Sequence, residues 1–542
     1  MVHTDAIEGV SGPGRIGRVA IGDLLHRTAR RHPSRIALTE GERKTSYSEL
    51  EAAANRFAHH LLSLDLGKGA RVSTICNNST ELVAAIFGIH KAGLVWVAIN
   101  TMLDVSDARY ILDHAEVSLT VIDDDLYRKS EWRNMISERA VAVIVNTVTE
   151  LSIESNPCTF RQVCEGQLST EPDIDIHERD LALIMYTSGT TSRPKGAMHC
   201  HLALMFGALN NTIEWKLDRS DAVSGVLPLF HVAQYGVMLY FMSVGGKIAL
   251  LKGFDAEEVM QTIARDRLTV TVMLPMMYAA ILNHPRRREY DLSSLRLCAW
   301  GMAPIAKELL TRLVQELCPN FVLGSGQTEM FPSTTSSRPE RALERFGNYW
   351  GESHVINETA IMDDEGKLLE PGNMGEIVHR GPNVMMGYYK EPAATLSSRA
   401  FGWHHTGDLA LVDEHGEILF VDRKKDMIKS GGENVSSVAV EAAMLSHPAV
   451  KVAAAIGLPH PRWGEAVTGF IELNPGICAD EQSIIDHSKR SLAGFQVPKK
   501  VKILRDLPFT ASGKIKKADL KLQFEHLYDE AQEAMSENGR NR

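Results

Sequence analysis

Apolar positions along the first 420 residues fall into two alternating rhythms. Short β-branched runs recur: RVSTIC at 71–76, LVWVAIN from Leu94, LALIMYT at 181–187, KIALL at 247–251, TVTVML at 269–274 and LRLCAW at 295–300. Between them lie stretches with helical spacing, such as NSTELVAAIFGIHKAG, AEEVMQTIARDRL and PIAKELLTRLVQELC. A strand–helix–strand rhythm predicts parallel sheets covered by helices on both faces, and the length fits two such sheets better than one. After about residue 350 turn-forming groups crowd in, DDEG at 363–366, EPGNMG at 370–375 and RGPN at 380–383. They predict a smaller, mostly antiparallel section. The basic run DRKKD at 422–426 reads as a hinge, and the residues beyond it as a compact α+β module. The expected architecture is therefore α/β, with an N-terminal domain over 1–422 and a small C-terminal domain over 423–542.

Length and charge narrow the possibilities. A chain of 542 residues exceeds what one core supports, so at least two domains follow. A formal charge of −10 argues against nucleic acid, whose phosphates select basic faces. No apolar stretch approaches a membrane span, and the N-terminus lacks the basic and apolar regions of a secretion signal. Seven scattered cysteines without a C-x-x-C pair predict reduced thiols, a cytoplasmic setting and no structural zinc.

The chemistry concentrates first in YTSGTTSRPKG, residues 186–196. It follows a predicted strand, the end of an α/β sheet where ligands bind. Gly189 and Gly196 let backbone amides turn toward an anion. The hydroxyls of Thr187, Ser188, Thr190 and Thr191 can donate to phosphate oxygens, and Lys195 adds a positive charge. The Walker arrangement is absent, because Gly196 and not Ser or Thr follows the lysine. Read alone, the stretch also has a plainer reading as a polar surface turn.

This segment resembles the nucleotide-binding loop of the adenylate-forming superfamily, which includes acyl-CoA synthetases, carrier-protein adenylation domains and beetle luciferases. Ser192 replaces one glycine of the usual loop. Further matches follow in the family's order. GSGQTEM at 324–330 resembles the segment that contacts AMP, which implies nucleotide contacts for Gly324, Ser325, Gln327, Thr328 and Glu329. It also implies a magnesium site at Glu329, with Thr187 beside it; a carboxylate is the hard ligand that ion prefers. Ser325 stands where the family keeps an aromatic that stacks on adenine. HTGD at 405–408 is similar to the ribose-binding segment, so the resemblance makes Asp408 the acceptor of two hydroxyls. In DRKKDMIKSGGENVSS at 422–437, Arg423 resembles the nucleotide-contacting arginine, Lys425 the hinge residue and Lys429 a lysine that approaches the reaction centre. Ser430, Gly431, Gly432 and Glu433 resemble the loop lining the thiol approach. PFTASGK at 508–514 makes Lys514 the catalytic lysine of adenylation.

These matches span residues 45–520 and imply a mobile C-terminal domain, with ATP, Mg²⁺ and CoA as partners of a small carboxylic acid. In amino-acid-activating relatives an aspartate grips the substrate ammonium within the segment VLPLFHVAQYG at 226–236. This chain has Phe230, His231, Val232 and Ala233, and burying an unpaired ammonium there would be prohibitive. His231 resembles the family's gate residue, and Phe230, Val232, Trp300, Gly301 and Met302 are expected to line the acyl pocket. The expected activity is ATP-dependent formation of an acyl-CoA from an apolar acid. An acyl carrier protein as acceptor, a homodimer, a luciferase-like oxygenase and a catalytically silent nucleotide-binding protein remain open on the sequence.

Overall fold

The computed structural model describes residues 17–138, 142–147, 157–187, 193–301, 305–345, 348–509 and 515–529. The described residues of Met1–Thr187, Lys195–Glu358 and His379–Ser397 form one compact unit. Those of Thr359–Val378 and Ser398–Arg542 form nearly all of a second.

The first unit holds two sheets. In one, the strands Leu181–Thr187, Val95–Ala98, Arg71–Ile75, Val117–Asp123, Ala142–Asn146 and Cys158–Thr159 run parallel in that order. Two antiparallel strands, Lys195–Cys200 and Gly387–Tyr388, extend it beyond Leu181–Thr187. The other sheet runs parallel through Phe321–Ser325, Leu297–Trp300, Val270–Met273, Ala222–Gly225, Lys247–Leu250 and Ile36–Glu40. Both parallel arrays match the strand–helix–strand rhythm. One element differs from the sequence reading, which runs the Ser/Thr loop directly into a helix. KGAMHC folds back as the strand Lys195–Cys200 before the helix His201–Glu214 begins. A strand of six residues that opens on Lys and Gly carries too little alternation to be read from the sequence.

Side chains from both sheets and the intervening helices form one continuous core that includes Trp96, Leu183, Tyr235, Phe241, Val272 and Phe321. The helix Thr80–Lys91 is buried along its whole length, which explains its lack of a polar face. Its Ser79 cap accepts a hydrogen bond from the Leu82 amide, satisfying one of the orphan donors of the first turn.

The second unit contains strands of two sheets. The strands Gly375–Arg380, His404–Val412 and Ile418–Arg423 lie side by side. Ile428–Ser430, Glu433–Val435, Gly464–Leu473 and Val450–His460 form a further sheet, with Lys500–Ile503 parallel to Gly464–Leu473. Helices Ser437–Leu445, Glu481–Ser488 and Lys517–Gln523 accompany this sheet. The turn between Ile418–Arg423 and Ile428–Ser430 carries Lys425. Among the described residues no helix is long and apolar enough to cross a membrane, and all seven cysteines are free.

Candidate active site

In the first unit the chemistry gathers at the carboxyl end of Leu181–Thr187. Thr187 pairs with Lys195 across the hairpin, and the Thr187 hydroxyl donates to the Lys195 carbonyl at 3.4 Å. Ser188, Gly189, Thr190 and Thr191 lie outside the described residues. Gly196 permits this hairpin, since a Cβ there would lie 2.7 Å from Ile184 Cγ2 and 3.1 Å from the Tyr186 ring. The Tyr186 hydroxyl in turn meets His114 Nδ1 at 2.7 Å, which holds the end of the strand.

Glu329 arrives from the other sheet, on the single helical turn Thr328–Met330 that follows the strand Phe321–Ser325. Its backbone is tied down on both sides. The Met385 amide donates to the Glu329 carbonyl at 2.8 Å, and His199 Nε2 donates to the Thr328 carbonyl at 2.8 Å. Burial lowers the His199 pKa to about 4, so the ring stays neutral. The carboxylate accepts from the Tyr388 hydroxyl at 2.8 Å through Oε1. Gly326 makes the tight approach possible: a Cβ there would lie 2.1 Å from the Pro332 carbonyl. Ser325, beside Gly324 and before Gln327, uses its carbonyl to accept from the Thr334 amide at 2.9 Å and from Ser333 Oγ at 3.0 Å.

Glu329 suits magnesium. It offers hard carboxylate oxygens, and among the described residues no cluster of three potential ligands surrounds it. That is the pattern of an ion held by one or two carboxylates plus substrate phosphates, rather than by a full protein cage.

The acyl-side residues divide. His231 caps the helix Val232–Val244, its Nδ1 accepting from the Ala233 amide at 3.3 Å. Phe230 is half-buried and Val232 buried. The segment before them is clamped by Asn78, a residue without any motif to mark it. Asn78 Nδ2 donates to the carbonyls of Gly225 (2.9 Å), Leu227 (2.8 Å) and Leu251 (3.1 Å), and its Oδ1 accepts from the Leu229 amide at 2.8 Å.

Trp300 is buried at the end of the strand Leu297–Trp300. Its ring lies 6.4 Å from Phe321, which packs on Tyr278 of the helix Pro275–Leu282. Strand alternation puts Ala299 and Gly301 on the opposite face. The connection carrying Val232–Val244 and the one carrying Pro275–Leu282 run in opposite directions along the sheet. Right-handed crossover therefore sets those two helices on opposite faces. Trp300 thus lies on the face of the sheet covered by Pro275–Leu282. A Cβ on Gly301 would lie 2.8 Å from the Gly324 carbonyl, so these two strand ends meet only through glycine. Met302 lies outside the described residues.

In the second unit, Asp408 is buried on the strand His404–Val412, directly opposite Arg423 on Ile418–Arg423. Arg423 Nε stands 3.5 Å from Asp408 Oδ1. The preceding Gly407 has φ +74° and donates its amide to Glu376 Oε1 at 2.9 Å. Burial lowers the Lys425 pKa below its ordinary value. Lys429 is exposed on Ile428–Ser430, its amide donating to Glu465 Oε2 at 2.9 Å. Ser430 and Glu433 face each other across a turn made by Gly431 (φ +63°) and Gly432 (φ +91°), and the Gly431 amide donates to the Trp463 carbonyl at 2.8 Å. Lys514 lies outside the described residues. Three positions beyond it, Lys517 pairs with Glu441 at 2.7 Å and donates to Ser437 Oγ at 2.8 Å.

Residues 25–389 match the AMP-binding enzyme family, and residues 439–514 match the AMP-binding enzyme C-terminal domain. A feruloyl-CoA synthase of an Amycolatopsis species is 34% identical over 511 residues, covering 93% of this chain and 99% of its own. A long-chain-fatty-acid–CoA ligase of Bacillus subtilis is 30% identical over 524 residues, covering 91% and 92%. Among solved structures, ATP-bound MatB from Rhodopseudomonas palustris superposes with a TM-score of 0.84 at 27% identity, over 94% of this chain and 99% of that one. The o-succinylbenzoate CoA synthetase of Bacillus subtilis, in complex with ATP and magnesium, gives 0.82 at 27% identity over 92% and 99%. Ordered motifs and a family match over more than half the sequence agree: the chain belongs to the AMP-binding enzyme family.

Proposed function

We propose that the acid this enzyme activates is apolar, with an aromatic, alicyclic or fatty body, and that the acyl group passes to the thiol of CoA. The chain is an ATP-dependent, AMP-forming carboxylate–CoA ligase that uses Mg²⁺. One observation carries the substrate reading. The start of the helix Val232–Val244 presents Phe230, His231 and Val232, with no carboxylate to pair an ammonium. Feruloyl and long-chain fatty acids, named for two relatives, are acids of that kind.

The acid is already ionised at neutral pH and needs no general base. The obstacle is charge, because an anion must approach a polyanion and pyrophosphate must depart. Positioning and electrostatic stabilisation therefore do most of the work. Lys195 and the Thr187 hydroxyl supply donors to phosphate, Asp408 accepts from the ribose hydroxyls, and Lys514 stabilises the in-line transition state. Magnesium, when bound at Glu329, neutralises phosphate charge. In the second step the CoA thiolate attacks the acyl carbon and AMP leaves. For this step the body over 423–542 turns about Lys425, withdrawing Lys514 and presenting Ser430–Glu433. A cytoplasmic setting belongs to the same proposal. The experiment is release of AMP from ATP with a panel of acids, comparing CoA with a holo-carrier protein as acceptor. Apolar acids with CoA should respond; a response only to amino acids, or only with the carrier protein, would contradict the reading.

A further inference from the structure

Between the phosphate-binding lysine and the metal-binding glutamate stands a side chain that no motif marks. Tyr388 belongs to the short strand Gly387–Tyr388, in register with Ala197 of the hairpin strand. Its backbone is fixed from both sides: the Tyr388 amide donates to Thr395 Oγ1 at 2.9 Å, and the neighbouring Tyr389 amide donates to the Gly196 carbonyl at 2.8 Å. This pairing fixes the backbone from which the ring projects.

What it touches is one charge of each sign. Lys195 Nζ lies 5.4 Å from the ring centroid, within the range of a cation over an aromatic face. The hydroxyl lies 2.8 Å from Glu329 Oε1. Among the described residues no ion pair joins Lys195 to Glu329. Opposite charges on the two sides of one ring attract each other, and a direct pair would neutralise the groups needed for phosphate and metal. A tyrosine meets both without neutralising either. Its face satisfies the ammonium, while its O–H directs one carboxylate oxygen and leaves the other free.

We infer that Tyr388 is a positioning residue for the adenylation step, orienting Glu329 for Mg²⁺ and holding Lys195 apart from it so that both stay available to ATP. This inference rests on the reading of Glu329 as the magnesium ligand. Partners of metal-ligating carboxylates are worth about 10-fold or more in metal affinity when removed.

The test is calorimetric titration with α,β-methylene-ATP, in saturating Mg²⁺ and in EDTA, on three variants of the full chain. Tyr388→Phe keeps the ring and loses the hydroxyl. Its Kd should rise about 10-fold in Mg²⁺ and stay at the wild-type value in EDTA. Tyr388→Leu should show the same loss in Mg²⁺ and, with the Lys195 contact also gone, a roughly threefold weakening in EDTA. Glu329→Gln should lose the Mg²⁺-dependent gain altogether. Unchanged affinity of Tyr388→Phe in Mg²⁺ would overturn the inference, as would equal weakening under both conditions, the mark of a purely structural ring. If Glu329→Gln retains the magnesium gain, the reading of Glu329 fails first. If Glu329→Gln loses that gain and Tyr388→Phe does not, only the role of Tyr388 falls.

Discussion

Changing Asn78 to aspartate replaces one buried NH₂ by oxygen and should be among the most damaging isosteric substitutions in the chain. The amide donates to three carbonyls, and among the described residues only Gly225 keeps another donor, the Leu251 amide at 3.1 Å. The carbonyls of Leu227 and Leu251 are left facing an acceptor. At about 1–3 kcal/mol for each unsatisfied buried group, the loss is roughly 2–6 kcal/mol. The carboxylate itself, enclosed among carbonyl oxygens, is pushed toward its neutral form, so its folded-state pKa lies above the unfolded value of about 3.9. A group raised in this way contributes stability that is present at low pH and lost as pH rises through the folded pKa. The deficit against wild type should therefore be widest at about pH 8 and narrow toward about pH 5, where a protonated carboxyl regains one donor. Urea midpoints of both proteins at the two pH values give the comparison. Because the clamp holds the chain leading to Phe230 and His231, KM for the acid should rise more than KM for ATP. A wild-type midpoint at pH 8, or a gap that widens on acidification, would refute the reasoning.

Lys514→Ala should lower acid-dependent ATP–pyrophosphate exchange by about 10²–10³, on the scale of a lost oxyanion donor, while nucleotide binding by calorimetry is kept; near-normal exchange contradicts its assignment. Lys425→Pro should block thioester formation and spare adenylation, and equal loss of both half-reactions counts against a hinge there. His199, His201 and His354 are each lowered from 6.5 to about 4 by burial. They stay neutral when folded and take up protons only on unfolding, so stability should fall as pH drops from 6.5 toward 4, by on the order of 3 kcal/mol for each ring. A urea midpoint that stays flat between about pH 7 and pH 5 would contradict that burial.

The parallel sheets were legible because a strand buried on both faces must be apolar along its length, and LALIMYT folds as Leu181–Thr187. Glu329 and Asp408 drew attention in the sequence only through the resemblance of GSGQTEM and HTGD to segments of the family. Three features were not legible. The strand Lys195–Cys200 is short and polar at its start, so its pairing to Leu181–Thr187 outweighs its own weak pattern. Asn78 and Tyr388 act through contacts with residues 147–173 and 59 positions away. Such long-range partners leave no local trace, although the tyrosine pair at 388–389, next to glycine, is the one signal that could have drawn attention.

The central claim is that an apolar carboxylate displaces pyrophosphate from ATP and is then handed to CoA. Quantitative separation of the nucleotide and thioester products, after incubation with ATP, Mg²⁺, CoA and a panel of fatty, aromatic, alicyclic and amino acids, tests it most directly. The account predicts AMP and an acyl-CoA in equal amounts, with the apolar members alone. ADP in place of AMP, or turnover confined to amino acids, would contradict it.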